Sequence, residues 1–204
     1  MNIKVTLPES ISDITLDQYQ RFVELTNRND LSEIEYNKRV IKIFTGLKYN
    51  QVDKISHKDY SDIINQITAA LGNETKFKNR FNIGDVEFGF IPNLDDMTTK
   101  EFIDLGSYMV SPENYHKIMA ILFRPVKRKD SFGNYTISNY NGTNEFADIM
   151  KRTPLNIVLG AMGFFYHLAN ELKTHIQKST RVEQVRSKRQ VTLKSGAGML
   201  QSTN

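Results

Sequence analysis

Four histidines, a pair of aspartates and two sets of basic residues are the side chains in this sequence that could do chemistry, so each is weighed first for what its spacing allows. His57, His116, His167 and His175 fall on three different predicted helices and form no His-Glu-x-x-His pattern. His167 and His175 stand eight residues apart, close enough to share a helix face but too far apart to chelate one ion. They read as surface or hydrogen-bonded histidines. Asp95 and Asp96 stand just ahead of Thr98, where acid near a helix N-terminus is favoured by the macrodipole, and no further ligand sits at metal spacing. The chain has no cysteine, which excludes disulfides, thiol catalysis and Cys-ligated zinc and suits a cytosolic origin. No phosphate-binding Gly-x-x-x-x-Gly-Lys-Ser/Thr loop, Gly-x-Ser-x-Gly elbow or Gly-x-Gly-x-x-Gly turn occurs. The expectation is a protein that is not an enzyme and takes no metal or cofactor.

The basic residues offer contact rather than catalysis. One set is Arg124, Lys127, Arg128 and Lys129; the other is Arg181, Arg186, Lys188, Arg189 and Lys194. Both could meet phosphates, but no aromatic residue interleaves in the second set to stack on bases, which favours a solvated loop and tail over a nucleic-acid surface. From Lys173 onward there are seven basic residues against one acid, a net +6; the whole chain carries +4, so residues 1–172 carry −2. The basic character belongs to the C-terminus. There the tail could pair with an acidic surface, or add Gln190-Val191-Thr192-Leu193 to a partner's sheet edge. The residues expected to contact subunits or partners are Arg124, Lys127, Arg128, Lys129, Arg181, Arg186, Lys188, Arg189, Val191, Leu193, Met199 and Leu200.

Ile3, Val5 and Leu7 alternate with polar residues and end at Pro8, a short strand signal. Thr15 with Gln18, Ser32 with Glu35, and Ser56 with Asp59 open successive helices, the first running from about Leu16 to Asn27; Gly46 and Gly72 stand at the ends of the second and third. Asn50 starts a short helical turn between them. Phe81, Ile83, Val86, Phe88 and Phe90 flank Gly84-Asp85 as a β-hairpin with a type II′ turn. Thr98 and Glu101 form a capping box, and Ser111-Pro112 opens a helix carrying Tyr115, Ile118, Met119, Leu122 and Phe123 until Arg124-Pro125 ends it. Lys127 to Asn134 reads as a basic, turn-rich loop, Tyr135 to Ser138 as a strand, and Glu145 to Met150 as a short helix after Asn141-Gly142. A long helix starts at Thr153-Pro154 and reaches about Gln177, with Gly160 and Gly163 as points where another helix could approach closely.

Composition bounds the class. A chain of 204 residues with 39% hydrophobic and 25% charged residues fits one soluble globular domain with an arm. The N-terminus lacks an apolar stretch of signal-peptide length, and the longest apolar run, Ile157 to Tyr166, is far short of the ~20 residues that span a membrane. The expected fold class is α+β, mostly α: a helical body (1–179) with a small β-hairpin or antiparallel sheet, and an extended basic C-terminal arm (180–204). Fully extended, such an arm spans roughly 80 Å at ~3.3 Å per residue, far enough to cross a neighbouring subunit.

Four segments together carry a family resemblance: Phe90-Ile91-Pro92-Asn93-Leu94-Asp95-Asp96-Met97-Thr98, Glu101-Phe102-Ile103-Asp104-Leu105, Leu122-Phe123-Arg124-Pro125-Val126, and Phe164-Phe165-Tyr166-His167-Leu168-Ala169-Asn170-Glu171-Leu172. With Ile14-Thr15-Leu16-Asp17-Gln18-Tyr19-Gln20 they resemble structural-module proteins of tailed bacteriophages, notably crAss-like phages. The resemblance implies a non-enzymatic virion component: a ring-forming adaptor in the neck or tail near the portal, made in the host cytoplasm. Its partners would be other copies of itself and portal or other neck and tail proteins, with no membrane. A tail assembly chaperone absent from the finished particle, a cargo protein, and a nucleic-acid-binding module using the same basic residues are the alternatives.

Overall fold

A computed structural model describes residues 5–109 and 111–167 of the chain. The described residues up to 161 form one compact unit, and the described residues 162–167, which are helical, belong to a second. The protein is α+β, mostly α, with one four-stranded antiparallel sheet. Among the described residues no helix is long and apolar enough to cross a membrane.

Local side-chain chemistry sets the helix starts. Helix α1 (Leu16–Thr26) begins where the Gln18 N–H donates to Thr15 Oγ1 at 3.3 Å and the Thr15 N–H donates back to Gln18 Oε1 at 2.9 Å. Helix α2 (Glu33–Thr45) is capped by Ser32, which accepts the Glu35 N–H; Glu35 itself turns to Arg39 instead of closing a reciprocal box. The helix ends at Gly46, whose φ of 72° is the left-handed conformation that a Cβ would oppose. A single turn, α3 (Tyr49–Val52), leads to α4 (His57–Leu71), capped by Ser56 through the Asp59 N–H.

The sheet follows. Strands β1 (Arg80–Ile83) and β2 (Val86–Phe90) pair as a hairpin through Gly84-Asp85, with Gly84 at φ +59°, the first-position geometry of a type II′ turn. The chain then leaves the sheet for α5 (Thr99–Tyr108) and α6 (Tyr115–Leu122), and returns as β3 (Phe123–Lys129) beside β2. Strand β4 (Tyr135–Ile137) completes the order β1-β2-β3-β4. Phe81, Phe88, Phe90 and Phe123 share one face through the register, and their rings pack at centroid distances of 5.1–5.8 Å. An isolated hairpin is marginal in water; this cluster supplies the apolar layer that makes the sheet stable.

Helix α6 is the centre of the core. Ile118, Met119, Ala120, Ile121 and Leu122 are all buried in succession, so the C-terminal five residues of this helix are buried on every side rather than along one face. It ends directly in strand: the Leu122 carbonyl accepts the Ile91 N–H, and Phe123 is already extended. Helices α5 and α7 (Ala147–Met150) pack on it. The N-terminal segment is tied to the start of α8, which is helical from 155. The Leu16 N–H donates to the Thr153 carbonyl, and the Leu155 N–H donates to the Ile14 carbonyl.

Several elements differ from the sequence reading. Val5 and Leu7 form no strand, since alternation over so few residues without a partner edge leaves the ladder unmade; Ile3 lies outside the described residues. Lys127 to Lys129 are strand, not loop: their polar side chains hide a pairing that β4 imposes, with Arg128 opposite Thr136 and Lys129 opposite Tyr135. Pro125 sits inside β3, opposite Phe88, where its missing N–H is tolerated and its carbonyl accepts the Ser138 N–H. What approaches Gly160 is not a helix but the backbone at Lys76 and Phe77. At Gly163 a Cβ would meet no atom of the described residues within 4 Å. The reach of the long helix to Gln177 falls outside the described residues.

The two helical glycines that differ in surroundings give a paired test. A Cβ at Gly160 would collide with the Lys76 carbonyl, whereas one at Gly106 in α5 meets no atom of the described residues within 4 Å. Gly160→Ala should therefore destabilise by about 1–3 kcal/mol through overpacking, and Gly106→Ala should stabilise by about 0.5–1 kcal/mol through helix propensity. Urea unfolding followed by circular dichroism reads both.

Candidate partner-contact surface

The contact residues expected around β3 separate into two groups once the strand is in place. Arg124 and Lys127–Lys129 are sequence neighbours, but Arg124 points into the protein and the others point out. Arg124 is 7% exposed and its Nη2 lies 2.7 Å from Oε1 of Glu101, which is 2% exposed. The other oxygen of Glu101 accepts the Thr98 N–H at 2.6 Å and the Thr98 hydroxyl at 2.7 Å. One carboxylate thus caps α5 and clamps β3 at once. Arg124 as a partner-contact residue is corrected accordingly: its charge is consumed inside the fold.

Around this pair lies a small polar layer. The Tyr140 ring centroid is 5.8 Å from the Arg124 guanidinium, and the Tyr140 hydroxyl donates to Asp104 Oδ2 at 2.6 Å. Burial, then the Asp104 hydrogen bond, pushes the Tyr140 hydroxyl above its ordinary value, so it stays protonated and keeps donating. Burial pulls the Arg124 guanidinium below its usual value, while Glu101 opposes the shift; the group remains charged. Arg124 Nε is buried with no hydrogen-bond partner among the described residues, and the Tyr140 face partly compensates as a cation–π contact.

The outward group sits on the β3–β4 hairpin. The register slips between Val126 and Arg128, a bulge at Lys127 that twists the strand as it leaves the sheet. Lys129 pairs with Glu87 on β2, which Arg80 also approaches at 3.7 Å. Lys127 and Arg128 are exposed and enter no ion pair among the described residues. Beyond them the loop is closed by Asp130. Its Oδ1 accepts the N–H groups of Phe132 at 2.9 Å and Asn134 at 2.8 Å, and its Oδ2 accepts the Asn134 side-chain amide at 2.7 Å. The Asn134 side chain, with the backbone N–H groups, holds this carboxyl below the usual range. Gly133 at φ +87° completes the turn. Phe132 stands at its tip, 89% exposed.

Tyr135 anchors the base of this projection. Its ring lies over Gly89, where a Cβ would come within 2.5 Å of the ring, and its hydroxyl donates to the Phe90 carbonyl at 2.9 Å. Arg80 lies over the same ring at 5.5 Å. Sequence reasoning missed Phe132, although an aromatic between Ser131 and Gly133 in a polar turn is a signal it could have used. It also missed a second apolar feature, Phe102 and Ile103 on α5, 71% and 60% exposed. The other expected contact residues, Arg181, Arg186, Lys188, Arg189, Val191, Leu193, Met199 and Leu200, and with them the arm, lie outside the described residues.

Of the histidines, His116 is half-buried in contact with the Gln20 side chain, His57 lines an open groove, and His175 lies outside the described residues. Among the described residues no group of three or more His, Asp or Glu could hold a metal ion. Compared with family models, curated proteins and solved structures, the chain shows no match to any.

Breaking the clamp separates its two functions. Arg124→Met leaves Glu101 buried without its counter-charge and should cost about 3–5 kcal/mol, while Glu101→Gln with Arg124→Met should recover a large part of that loss. A double-mutant cycle in urea measures it; additive effects would show that the pair is not coupled.

Proposed function

We propose that this chain is a structural protein of a bacteriophage virion, a neck or tail ring adaptor that assembles by protein–protein contacts near the portal. The observation that carries the reading is the β3–β4 hairpin. Phe132 is held out of the body on a loop closed by five hydrogen bonds to Asp130, three through its carboxylate, one through its N–H and one through its carbonyl, which accepts the Gly133 N–H. An exposed aromatic costs solubility unless something covers it, and aromatic anchors on pre-ordered loops are what protein interfaces use. The likeness of the Phe90–Thr98 and Leu122–Val126 segments to phage structural modules adds the setting: copies of the chain in a ring, next to the portal or other neck and tail proteins.

Quantitative mass spectrometry of purified virions tests this. The adaptor reading expects the protein in fixed ratio to the portal. Its absence from particles, with abundance in infected-cell lysate, would contradict the adaptor role and make it an assembly chaperone.

One observation supports a second reading. Lys127 and Arg128 are exposed on the same hairpin as Phe132, residue types that can hold phosphates and stack a base. A nucleic-acid-binding module would lose DNA affinity steeply with added salt; the adaptor reading expects weak binding with a shallow slope, because so few cations converge there.

A further inference from the structure

The same unit that projects Phe132 also carries an open groove. Helices α2, α3 and α4 enclose about 620 Å³ between them, lined on its apolar side by Ile34, Ile55, Tyr60 and Ile64. Ile34 is 66% exposed at its edge, a β-branched apolar side chain left in water on the first turn of a helix. Glu33 and Asp53 stand at the rim; Lys38 neutralises Asp53 at 2.6 Å, while Glu33 enters no ion pair among the described residues, so the rim is negative. The hairpin carries the opposite sign through Lys127 and Arg128. Phe132 at 89% exposure is not seated in the groove of its own chain.

We propose that the chain assembles head to tail, the β3–β4 hairpin of one copy entering the α2–α4 groove of the next with Phe132 as its anchor. A contact between two different patches of one molecule is heterologous. It propagates from copy to copy and closes into a ring when the rotation per step divides the circle. The groove has ample room for a phenyl ring, and Glu33 meets Lys127 or Arg128 as the aromatic seats. The hairpin is already ordered by Asp130 and Tyr135, so little conformational freedom is lost on docking. The inference rests on the self-assembling reading above and names the surfaces that would carry it.

The absence of native cysteine makes the test direct. Phe132→Cys and Ile34→Cys are each made alone in the full chain, both at exposed sites, and mixed under a mild glutathione redox buffer. The expected result is a disulfide-linked dimer of the mixed pair well above either variant alone, and a ladder of higher species when one chain carries both substitutions. Sedimentation velocity of the wild type and Phe132→Ser gives a second reading. The variant keeps the wild-type circular dichroism and melting profile but associates roughly 30-fold more weakly, the scale of an interface hot spot. Cross-linking no greater in the mixture than in the single variants overturns the proposal. So does association unaffected by Phe132→Ser, a wild type that stays monomeric at every concentration, or capture of Ile34→Cys by Phe102→Cys in place of Phe132→Cys. Each of these leaves the virion stoichiometry standing as a separate result, since a component can hold a fixed ratio to the portal without this contact.

Discussion

The buried ion pair between Glu101 and Arg124 ties the first turn of α5 to the strand that brings the chain back to the sheet. Taking two charges out of water is expensive, and the mutual attraction offsets that cost only when the remaining hydrogen-bonding capacity is satisfied. Here Thr98 satisfies the second carboxylate oxygen, while on the Arg124 side Nε has no hydrogen-bond partner among the described residues and the Tyr140 face compensates only in part. The pair joins the N-terminus of α5 to the second residue of β3, across a connection that leaves the sheet for two helices and comes back. Loop closure over such a length carries an entropic cost, and a directional charge contact at the point of return helps set the register in which β3 meets β2. With that register set, Phe123 and Pro125 fall on the aromatic face, and the strand continues outward as the stem of the Phe132 hairpin.

The same arrangement divides the basic run by role. Arg124 serves the interior, Lys129 serves the sheet through Glu87, and Lys127 and Arg128 remain for solvent or a partner. The bulge at Lys127 lies between Arg124 and Lys129, and the extra residue turns the side chains that follow it. Exposed Lys and Arg on β3, next to the short edge strand β4, also discourage unplanned strand pairing. The hairpin therefore combines an electrostatic guard with one apolar anchor, a combination suited to selective rather than indiscriminate association.

What was legible in the sequence was what depends on neighbours within about four residues. The capping pairs Thr15 with Gln18 and Thr98 with Glu101, the left-handed Gly46 and the Gly84 turn all act locally, and each stands where its residue types place it. The mostly helical α+β class followed from them. The site was less legible for a physical reason. Strand β3 has a proline and three successive cations, so neither periodicity nor propensity marks it; its pairing is imposed by β2 and β4. Arg124 looks like its neighbours in sequence, and Glu101 looks like an ordinary cap. Only the tertiary return of the chain reveals that the unused oxygen of the cap faces the guanidinium. Gly160 marks a close approach in the sequence, but what approaches is an irregular segment that carries no sequence signal of its own.

A contact of this kind requires the β3–β4 hairpin to be ordered before it meets any partner. Amide hydrogen exchange of the free protein, resolved to single residues by NMR, tests it most directly. The account predicts protection at Asn134, whose N–H is held by Asp130, and at Ser138, whose N–H donates to Pro125 inside the sheet. Exchange at both positions as fast as in an unstructured peptide would contradict it, because the hairpin would then be a loose segment rather than a prepared contact.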